Sequence, residues 1–459
     1  MGASKSRSIK RREFLAGIAA VPILGTKGAI PEINSSTAVK NLAGNSKAVR
    51  LGIIGYGNRG EELCMEALQT EQNPEINGIC EIFTQRLERG LLATGEKARG
   101  YHSYLDLLDS EEIDAVIIAT PDHWHAQMAM DAAKRGKHIY LEKCMTRTAE
   151  EASVLRDAVN NSGVVFQLGH QGRQHDLNQK ARELISNDIL GKITLIETTT
   201  NRNDPEKGWK IREGESASSA SIDWELFQGT ATGLQPFSPE RYYAWRNYWA
   251  YGTGMSGDLL SNEFDAANSI LDLGIPESVV ATGGIYYHRN GREVPDVFQA
   301  AFEYPHRGLT LLYSGTLASG VPRGTLIMGR DASLELGRIL SVWVDKNSIK
   351  YKSRIEAGII DPSAPFVNYM REQHSVDAIS SATAKYYADR GLVRTYRGGK
   401  EVSTTRLHLT EWLNCIHKGQ KTSCNIDRGF EVALAVHMAT RSYQEGRKVR
   451  WDSDTETIV

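Results

Sequence analysis

The sequence is poor in cysteine, and its cysteines follow no metal-binding or disulfide pattern. There are five in 459 residues, an odd number, and none form a CxxC pair. This spacing excludes a disulfide framework and the ligand pattern of a structural zinc site. We expect small buried residues. Cys144 is of most interest because it follows a candidate catalytic lysine.

An excess of charge of one sign is also lacking. Lys and Arg number 54 against 56 Asp and Glu, which gives a net charge of -2. No broad basic field is present, so we expect neither a nucleic-acid partner nor attraction to an acidic membrane. Beyond the N-terminus no apolar run reaches the ~18 residues of a membrane span, so we expect no stable membrane insertion. The length of 459 residues predicts two domains.

The sequence of the N-terminus is typical of a targeting signal and not of a folded domain. In SIKRREFLAGIAAVPILG, Arg11 and Arg12 precede a short apolar run that is too short to span a membrane. The arrangement resembles a twin-arginine export signal, which predicts a periplasmic protein. A basic amphipathic arm is the alternative. We assign residues 1–48 to a signal and a polar linker.

A nucleotide-binding pattern begins at Val49. The apolar run VRLGII ends in GYGNRG, and the helical segment EELCMEALQ follows. Gly55 permits a tight turn, Gly57 lets the backbone approach a pyrophosphate, and Gly60 allows close packing of helix on strand. The helix N-terminus then offers free N–H groups to the phosphates. Asn58 and Arg59 lie inside this turn and belong to the predicted cofactor site.

A second strand, EINGICEI, strengthens the dinucleotide interpretation over an ordinary strand–helix turn. Its Glu81 follows Gly60 by about the 20 residues expected of a ribose-binding acid. A carboxylate accepts hydrogen bonds from both ribose hydroxyls and repels a 2′-phosphate, so we predict NAD. Arg86 nearby keeps NADP as the alternative.

Strand and helix patterns then alternate, which predicts a doubly wound parallel sheet over residues 49–170. Ligands bind beyond the carboxyl ends of such strands. Three polar segments lie at those ends: ATPDHWH (119–125), EKC (142–144) and GHQGR (169–173).

From residue 49 to the C-terminus the chain resembles the Gfo/Idh/MocA family of NAD(P)-dependent sugar oxidoreductases. The resemblance rests on GYGNRG, ATPDHWHAQMAMDAAKRGKHIYLEK, GDLLSNEFD and a late GRKVRWD. It implies a Rossmann domain followed, over 171–459 with the C-terminal helix included, by an α+β domain with a large, mostly antiparallel open sheet. Such sheets often mediate assembly, so a homo-oligomer, dimer or tetramer, is expected.

The resemblance also implies catalytic residues. Lys143 matches the family lysine that hydrogen-bonds the reacting hydroxyl, and its ammonium steadies negative charge on oxygen. A surface lysine is the alternative. Asp258 matches the aspartate that orients the substrate, with a helix N-cap as the alternative. Asn262 stands where the family usually has a histidine, and an amide is not a general base at neutral pH.

Another group must then accept the proton, or catalysis is weak. Asp258, Lys143, His170 and His175 remain open as candidates. Asp265 is expected to support the site without taking part in catalysis.

Four more residues are implied at the cofactor by their match to the family segments: Thr120, Pro121, His125 and Glu142. His123 and His125 do not form a metal site on a helix, because side chains two positions apart do not face each other. We predict no metal.

Residues 201–252 are rich in aromatics, including Trp209, Tyr242 and Trp245. Flat rings beside arginines suit a carbohydrate, so we predict a sugar pocket; a structural insertion is the alternative. We assign four residues to substrate binding: His170, Arg173, Arg246 and Tyr248. For Arg173, anchoring an interdomain carboxylate is an equal alternative.

These observations favour an exported NAD-dependent oxidoreductase acting on a carbinol or ketone carbon of a sugar. An NAD-dependent glycoside hydrolase with a recycled cofactor is the first alternative, although such relatives usually lack a Glu-Lys pair like Glu142-Lys143. A catalytically weak sugar- or nucleotide-binding protein is the second, suggested by Asn262.

Overall fold

The computed structural model describes most of the chain: residues 47–203, 216–229, 231, 233–337, 339–369, 394–397 and 400–459. The predicted export signal and Trp209 lie outside these residues. Within the described ranges no helix is both long and apolar enough to cross a membrane.

Six parallel strands form the first sheet, in the order β3-β2-β1-β4-β5-β6. Their bounds are Arg50–Ile54 (β1), Glu75–Cys80 (β2), Arg99–Tyr101 (β3), Ala115–Ile118 (β4), His138–Leu141 (β5) and Phe166–Leu168 (β6). Strands β4, β5 and β6 are buried at every position, as expected for a sheet covered on both faces. The strand order reverses between β1 and β4, and the crevice at such a switch point is where dinucleotides bind. This confirms the predicted Rossmann architecture.

Five helices connect these strands. They are α1 (Asn58–Leu68), α2 (Thr84–Ala93), α3 (Tyr104–Asp109), α4 (Asp122–Lys134) and α5 (Ala149–Ser162). Helix α4 follows Pro121 directly, and α5 begins with a capping box between Thr148 and Glu151. The local sequence therefore defines where both helices begin.

Ten strands form the second sheet, in the order β14-β13-β12-β11-β7-β10-β9-β8-β17-β18. Their bounds are Ile193–Asn201 (β7), Ser278–Gly284 (β8), Val297–Tyr304 (β9), Leu309–Thr316 (β10), Thr325–Gly329 (β11), Ala332–Leu336 (β12), Leu340–Val344 (β13), Val367–Tyr369 (β14), Val449–Asp452 (β17) and Thr457–Ile458 (β18). Only the β7–β10 pair runs parallel among these pairings. In β10 buried residues alternate with more exposed ones, so one face packs on the core. The predicted mostly antiparallel sheet is confirmed.

The remaining helices are α6 (Asp176–Ser186), α7 (Trp224–Gln228), α8 (Pro239–Tyr243), α9 (Ser261–Leu271), α10 (Lys352–Glu356), α11 (Thr404–Lys418) and α12 (Ile426–Glu445). A hairpin of β15 (Arg394–Arg397) and β16 (Lys400–Ser403) precedes α11.

The two C-terminal helices pack on the first sheet, and the last of them also packs on the second, where we expected it. In α11, Trp412 and Leu413 are fully buried in one cluster with Leu51 and Ile53 of β1. In α12, Phe430 packs with residues of β4, β5 and β6. Val432, Ala435 and Met438 of α12 lie in the core of the second sheet, so burial of apolar surface ties the end of the chain to both halves.

Candidate active site

A cavity of about 450 Å³ lies at the carboxyl ends of β1, β2, β4 and β5. It is lined by most of the residues predicted for the cofactor: Gly55, Gly57, Asn58, Arg59, Glu81, Thr120, Pro121, Glu142 and Lys143. This is the crevice that the strand order of the sheet predicts.

The glycine turn forms the floor of this cavity. Gly55 has a φ of +87°, a conformation that side chains rarely adopt. A Cβ on Gly60 would stand 2.0 Å from the carbonyl oxygen of Gly55, so no larger residue fits there. Gly57 is the N-cap of α1 and supplies no side-chain cap to the first N–H groups. These donors suit a pyrophosphate, and the turn therefore fits NAD.

Glu81 faces the same cavity from the end of β2. Its Oε2 accepts from the N–H of Tyr56 at 2.7 Å, and its Oε1 accepts from Ile82 and Phe83 at 2.8 and 3.0 Å. Backbone donors therefore hold the carboxylate in place. The guanidinium of Arg86 lies close by, 3.4 Å from the position of a Cβ on Gly57. The Glu81 carboxylate and the Arg86 guanidinium, which both bear on the choice between NAD and NADP, thus lie close to the glycine turn.

Arg59, next to the glycine turn, connects two carboxylates that border the cavity. Its Nε and Nη2 both lie 2.9 Å from Oε1 of Glu142, and its Nη1 lies 2.8 Å from Oε1 of Glu62. The guanidinium thereby links α1 to the end of β5. The charge of Arg59 is matched by two carboxylates, so its role here is to join the two elements.

Lys143 and Asp258 meet at the other end of the cavity. Lys143 is 7% exposed and is not the surface lysine of the alternative interpretation. Its Nζ donates to Oδ1 of Asp258 at 2.6 Å and to the Asp258 carbonyl oxygen at 2.9 Å. Arg246 adds a second cation, with Nε 3.3 Å from the same Oδ1. Lys143 and Arg246 both line the cavity.

Asp258 lies within a π-helical turn, Ser256–Leu260, which continues into α9. The residue before the turn, Met255, already has helical backbone angles, so the N-cap interpretation of Asp258 is wrong. Burial alone would raise the pKa of Asp258, but Lys143, Arg246 and Arg202 outweigh it and hold this pKa well below its usual range. An acid held so firmly ionised is a poor proton acceptor.

Asn262 extends the same helical face. Its Nδ2 donates to the carbonyl oxygen of Asp258 at 2.9 Å. It borders a second cavity, of about 50 Å³, together with His170 and Asp265. The amide thus ties down the helical turn and lies next to the His170 imidazole.

His170 and His175 differ in what their rings do. His170 is buried, burial lowers its pKa, and no hydrogen bond joins its ring to another described residue. It is therefore neutral at pH 7. In His175, Nδ1 accepts from the N–H of Leu177 at 3.2 Å, which makes this ring the cap of α6. Of these two histidines, only His170 keeps a lone pair for chemistry.

Of the residues predicted for the site, Gly60, His170, Asp258 and Asn262 do not line the main cavity, and neither do three whose side chains hold the surrounding fold: His125, Tyr248 and Arg173. His125 contacts two backbone carbonyl oxygens, of Cys144 at 2.5 Å and of Thr120 at 2.9 Å, so it braces the loops after β4 and β5. Tyr248 is buried under the guanidinium of Arg241, whose Cζ lies 4.2 Å from the ring centroid.

Arg173 is the third. Its Nε and Nη2 contact Asp265 Oδ1 at 2.9 and 2.6 Å, and its Nη1 donates to the Ser423 carbonyl at 2.6 Å. This geometry corresponds to the anchoring alternative, with Asp265 as the anchored carboxylate.

Cys144 follows Lys143 through a cis peptide bond. Its thiol is buried, and burial raises its pKa to about 12. It is therefore an unreactive thiol at neutral pH.

The aromatic segment divides between packing and lining. Tyr242, Tyr243 and Trp245 line the main cavity. Trp224 instead stacks on Phe227, with ring centroids 4.9 Å apart. The sequence signal for a ligand pocket thus applies to part of the segment only, and the stacking of Trp224 on Phe227 agrees with the alternative of a structural insertion.

Sequence reasoning missed several lining residues. Leu226 and Phe227 come from α7, and Thr404 and Thr405 from the start of α11. The high density of aromatic residues in the sequence around Leu226 and Phe227 could have indicated that this segment lines a pocket. Nothing local marks the two threonines, because they reach the cavity only through the packing of α11 on the first sheet.

Two models of one family match this chain. The model described as "Oxidoreductase family, NAD-binding Rossmann fold" matches residues 49–170, and the one described as "Oxidoreductase family, C-terminal alpha/beta domain" matches residues 230–450. Their names are GFO_IDH_MocA and GFO_IDH_MocA_C, and together they cover well over half of the sequence.

Individual relatives fall into two chemical groups. The chain is 25% identical over 290 residues to scyllo-inositol 2-dehydrogenase (NADP(+)) IolW of Bacillus subtilis (strain 168), across 62% of this chain and 68% of that protein. It is 35% identical over 265 residues to a glycosyl hydrolase family 109 protein of Shewanella baltica (strain OS185). The second match spans 53% of this chain and about half, 51%, of that protein.

Solved structures share the fold. Levoglucosan dehydrogenase, in complex with NADH and levoglucosan, superimposes with a TM-score of 0.64 at 18% identity, over 88% of this chain and 99% of that one. At this identity the likeness supports the fold alone.

Proposed function

Because the chain belongs to the Gfo/Idh/MocA oxidoreductase family and has its NAD-binding Rossmann domain, we propose that it exchanges a hydride between NAD and a carbinol or ketone carbon of a sugar or sugar derivative. The observation that carries the proposal is Lys143, whose Nζ lies 2.6 Å from Asp258 and which lines the same cavity as the glycine turn. NAD, when bound, supplies the hydride acceptor or donor at its nicotinamide ring.

Lys143 acts on the reacting oxygen. Its ammonium has one donor on Oδ1 and one on the carbonyl of Asp258, which leaves one of its three protons for the substrate. That proton stabilises negative charge that develops on the oxygen, and it is worth most in a site shielded from water. Asp258 keeps the ammonium aimed into the cavity.

His170 accepts the hydroxyl proton in the oxidative direction. Asn262, which stands where the family usually has a histidine, has no proton-accepting nitrogen at neutral pH. The neutral imidazole of His170 lies beside Asn262 in the second cavity, and Lys143 is near enough to contribute to the lowering of its pKa. Histidine is suited to this transfer because its ordinary pKa lies near neutrality.

NAD is preferred over NADP. The carboxylate of Glu81 borders the cavity with three backbone N–H groups directed at it, which hold it in place. It accepts from ribose hydroxyls and repels a 2′-phosphate. NADP is the alternative, supported by Arg86 at the same end and by the cofactor in the name of the Bacillus subtilis relative.

Glycoside cleavage with a recycled cofactor is the second candidate. It is supported by the 35% identity to the glycosyl hydrolase family 109 protein. In that chemistry, transient oxidation of a sugar carbon acidifies the adjacent C–H, the aglycone is eliminated, water adds, and the hydride returns. The third candidate function is binding of a sugar or nucleotide by a protein that has lost catalysis.

We also propose export by the twin-arginine route, supported by Arg11, Arg12 and the short apolar run after them. A homo-oligomer is proposed from the family resemblance. Fractionation of cells that express the full chain, with an Arg11→Lys, Arg12→Lys variant as control, tests the first. Sedimentation equilibrium tests the second.

One assay separates the catalytic candidates. Purified full-length protein is given NAD and a panel of free sugars and nitrophenyl glycosides, and NADH absorbance and nitrophenol release are followed together. We expect NADH to accumulate without nitrophenol. NAD-dependent nitrophenol release without net NADH moves the protein to the glycosidase class. If neither NADH nor nitrophenol forms, the proposed reaction is refuted.

A further inference from the structure

The segment that carries Asp258 is held against the first sheet by a side chain that does not line the main cavity. Asp122 is the first residue of α4 and is 5% exposed. Its Oδ2 accepts from the N–H of Thr253 at 3.1 Å and from Oγ1 of Thr253 at 2.7 Å. Thr253 lies shortly before Asp258 in the sequence. Asp122 therefore fixes the start of the segment that carries this acid.

The same segment packs closely on the backbone beside Lys143. A Cβ on Gly257 would stand 1.7 Å from Oγ1 of Thr253 and 3.2 Å from Cβ of Cys144, so only glycine fits there. Cys144 follows Lys143 directly. The absence of a side chain at Gly257 thus lets the π-helical turn approach the end of β5, where Lys143 and Asp258 meet at 2.6 Å.

Two histidines next to Asp122 hold the adjoining backbone. The N–H of His123 donates to the carbonyl oxygen of Tyr251 at 3.2 Å, two residues before Thr253. Nδ1 of His125 lies 2.5 Å from the carbonyl oxygen of Cys144. The first turn of α4 therefore contacts both backbone segments that carry the proposed catalytic pair.

From these contacts we propose that Asp122 is a positioning residue for hydride transfer. Through Thr253 it sets the place of Asp258, and Asp258 in turn sets the direction of the Lys143 ammonium. The inference rests on the proposed function and adds to it a residue outside the cavity. The direction matters because a displacement of a catalytic group by about 1 Å can cost about 10² in rate.

Kinetics of Asp122 variants test the proposal, with a sugar that the wild type oxidises. Asp122→Ala should lower kcat by about tenfold or more and leave the dissociation constant of NAD within about threefold. Asp122→Asn keeps a side-chain oxygen that can accept both hydrogen bonds, so it should retain most of the rate. A kcat of Asp122→Ala within threefold of wild type overturns the inference.

Asp114→Ala is the matched control. Asp114 is also 5% exposed and accepts from Nε of Arg50 at 2.8 Å, but it lies before β4, whereas Asp122 follows that strand. Its loss should lower stability and leave kcat within about threefold of wild type. If kcat falls equally in both alanine variants, loss of a buried acid explains the effect, and the positioning role is refuted.

A milder change shows whether the effect passes through Lys143. Thr253→Val removes the hydroxyl group that Asp122 binds, and it should lower kcat in the wild-type background, with Thr253→Ser retaining most of the rate. In a Lys143→Met background the same Thr253→Val change should alter the residual rate less than about threefold, because contacts that act through one group are not additive. An undiminished loss in that background contradicts the inference.

A crystal structure of Asp122→Ala gives a measurement that needs no substrate. The distance from Nζ of Lys143 to Oδ1 of Asp258, 2.6 Å in the wild type, should lengthen or the pair should separate. An unchanged pair contradicts the inference whether or not a substrate is known. If the wild type instead forms no NADH with any sugar, it is the proposed function that fails.

Discussion

The Nζ of Lys143 lies 2.6 Å from Oδ1 of Asp258, across 115 positions of sequence. The two side chains come from different halves of the fold, one after β5 and the other from the π-helical turn before α9. The ion pair is nearly buried, so loss of either partner leaves an uncompensated charge in the cavity. The contact that the proposed mechanism uses therefore also links the two halves of the fold.

Lys143→Met should abolish most of the hydride transfer. The ammonium that stabilises charge on the reacting oxygen is lost, and single donors of this kind are worth about 10²–10³ in kcat. Stopped-flow measurement of NADH formation checks this, with NAD affinity and circular dichroism as controls for folding. A kcat within threefold of wild type would remove Lys143 from the mechanism.

His170→Asn should lower the rate of sugar oxidation and change its pH profile. Burial lowers the pKa of His170, so the ring stays neutral, and able to accept a proton, to below its ordinary value of about 6.5. The wild-type kcat should therefore hold as pH falls through 6.5 and decline only below it. In the variant this acid limb should vanish together with most of the rate. An identical limb in both proteins assigns the proton to another group.

Gly60→Ala should disable cofactor binding. The added Cβ would stand 2.0 Å from the carbonyl oxygen of Gly55, and the shift needed to relieve the clash disturbs the turn and costs about 1–3 kcal/mol of stability. Gly320→Ala is the control, since its Cβ meets the nearest atom at 3.6 Å, an ordinary contact. Isothermal titration with NAD should show loss of affinity in the first variant alone. Equal affinities would mean that the turn adapts without cost.

Glu81→Gln should relax the preference for NAD. The amide keeps an acceptor for the Tyr56 N–H but loses the charge that repels a 2′-phosphate. We expect the ratio of NAD to NADP in kcat/KM to fall about tenfold or more, mostly through better use of NADP. If wild type already prefers NADP, the assignment of NAD from Glu81 is wrong.

Stability should fall as the pH is lowered from 6.5 toward 4. Burial lowers the pKa of His123 to about 4 and of His437 to about 3, so the unfolded chain takes up protons that the folded chain refuses. Each such imidazole removes about 1 kcal/mol of unfolding free energy per pH unit in this window. Urea titrations at several pH values check the slope. His437→Gln should flatten it, and a slope unchanged by that variant contradicts the linkage.

Much of the nucleotide-binding half was predictable because its signals are local. A strand, a glycine turn and a helix follow one another within twenty residues, and only glycine fits at Gly60. The role of Lys143 was implied by the family resemblance of the short segment that contains it. Strand and helix positions in this half follow from short-range patterns of burial and capping.

The rest of the site depends on contacts between distant segments. Arg173 pairs with Asp265 across 92 positions, and Thr404 and Thr405 reach the cavity from the start of α11. No local pattern distinguishes an arginine that binds substrate from one that holds a carboxylate, because the same guanidinium serves both.

The sequence by itself determined the Rossmann turn and the cofactor class, since each depends on residue types in a short stretch, and its resemblance to a known family singled out Lys143 and Asp258. Only the tertiary structure decided that Arg246 joins Lys143 on Asp258, that His170 lies beside Asn262, and that His125, Arg173 and Tyr248 brace the fold outside the main cavity. The physical reason is that charge pairing and burial depend on which surfaces come into contact when the two sheets and the C-terminal helices pack. The spacing of residues along the sequence does not specify those contacts.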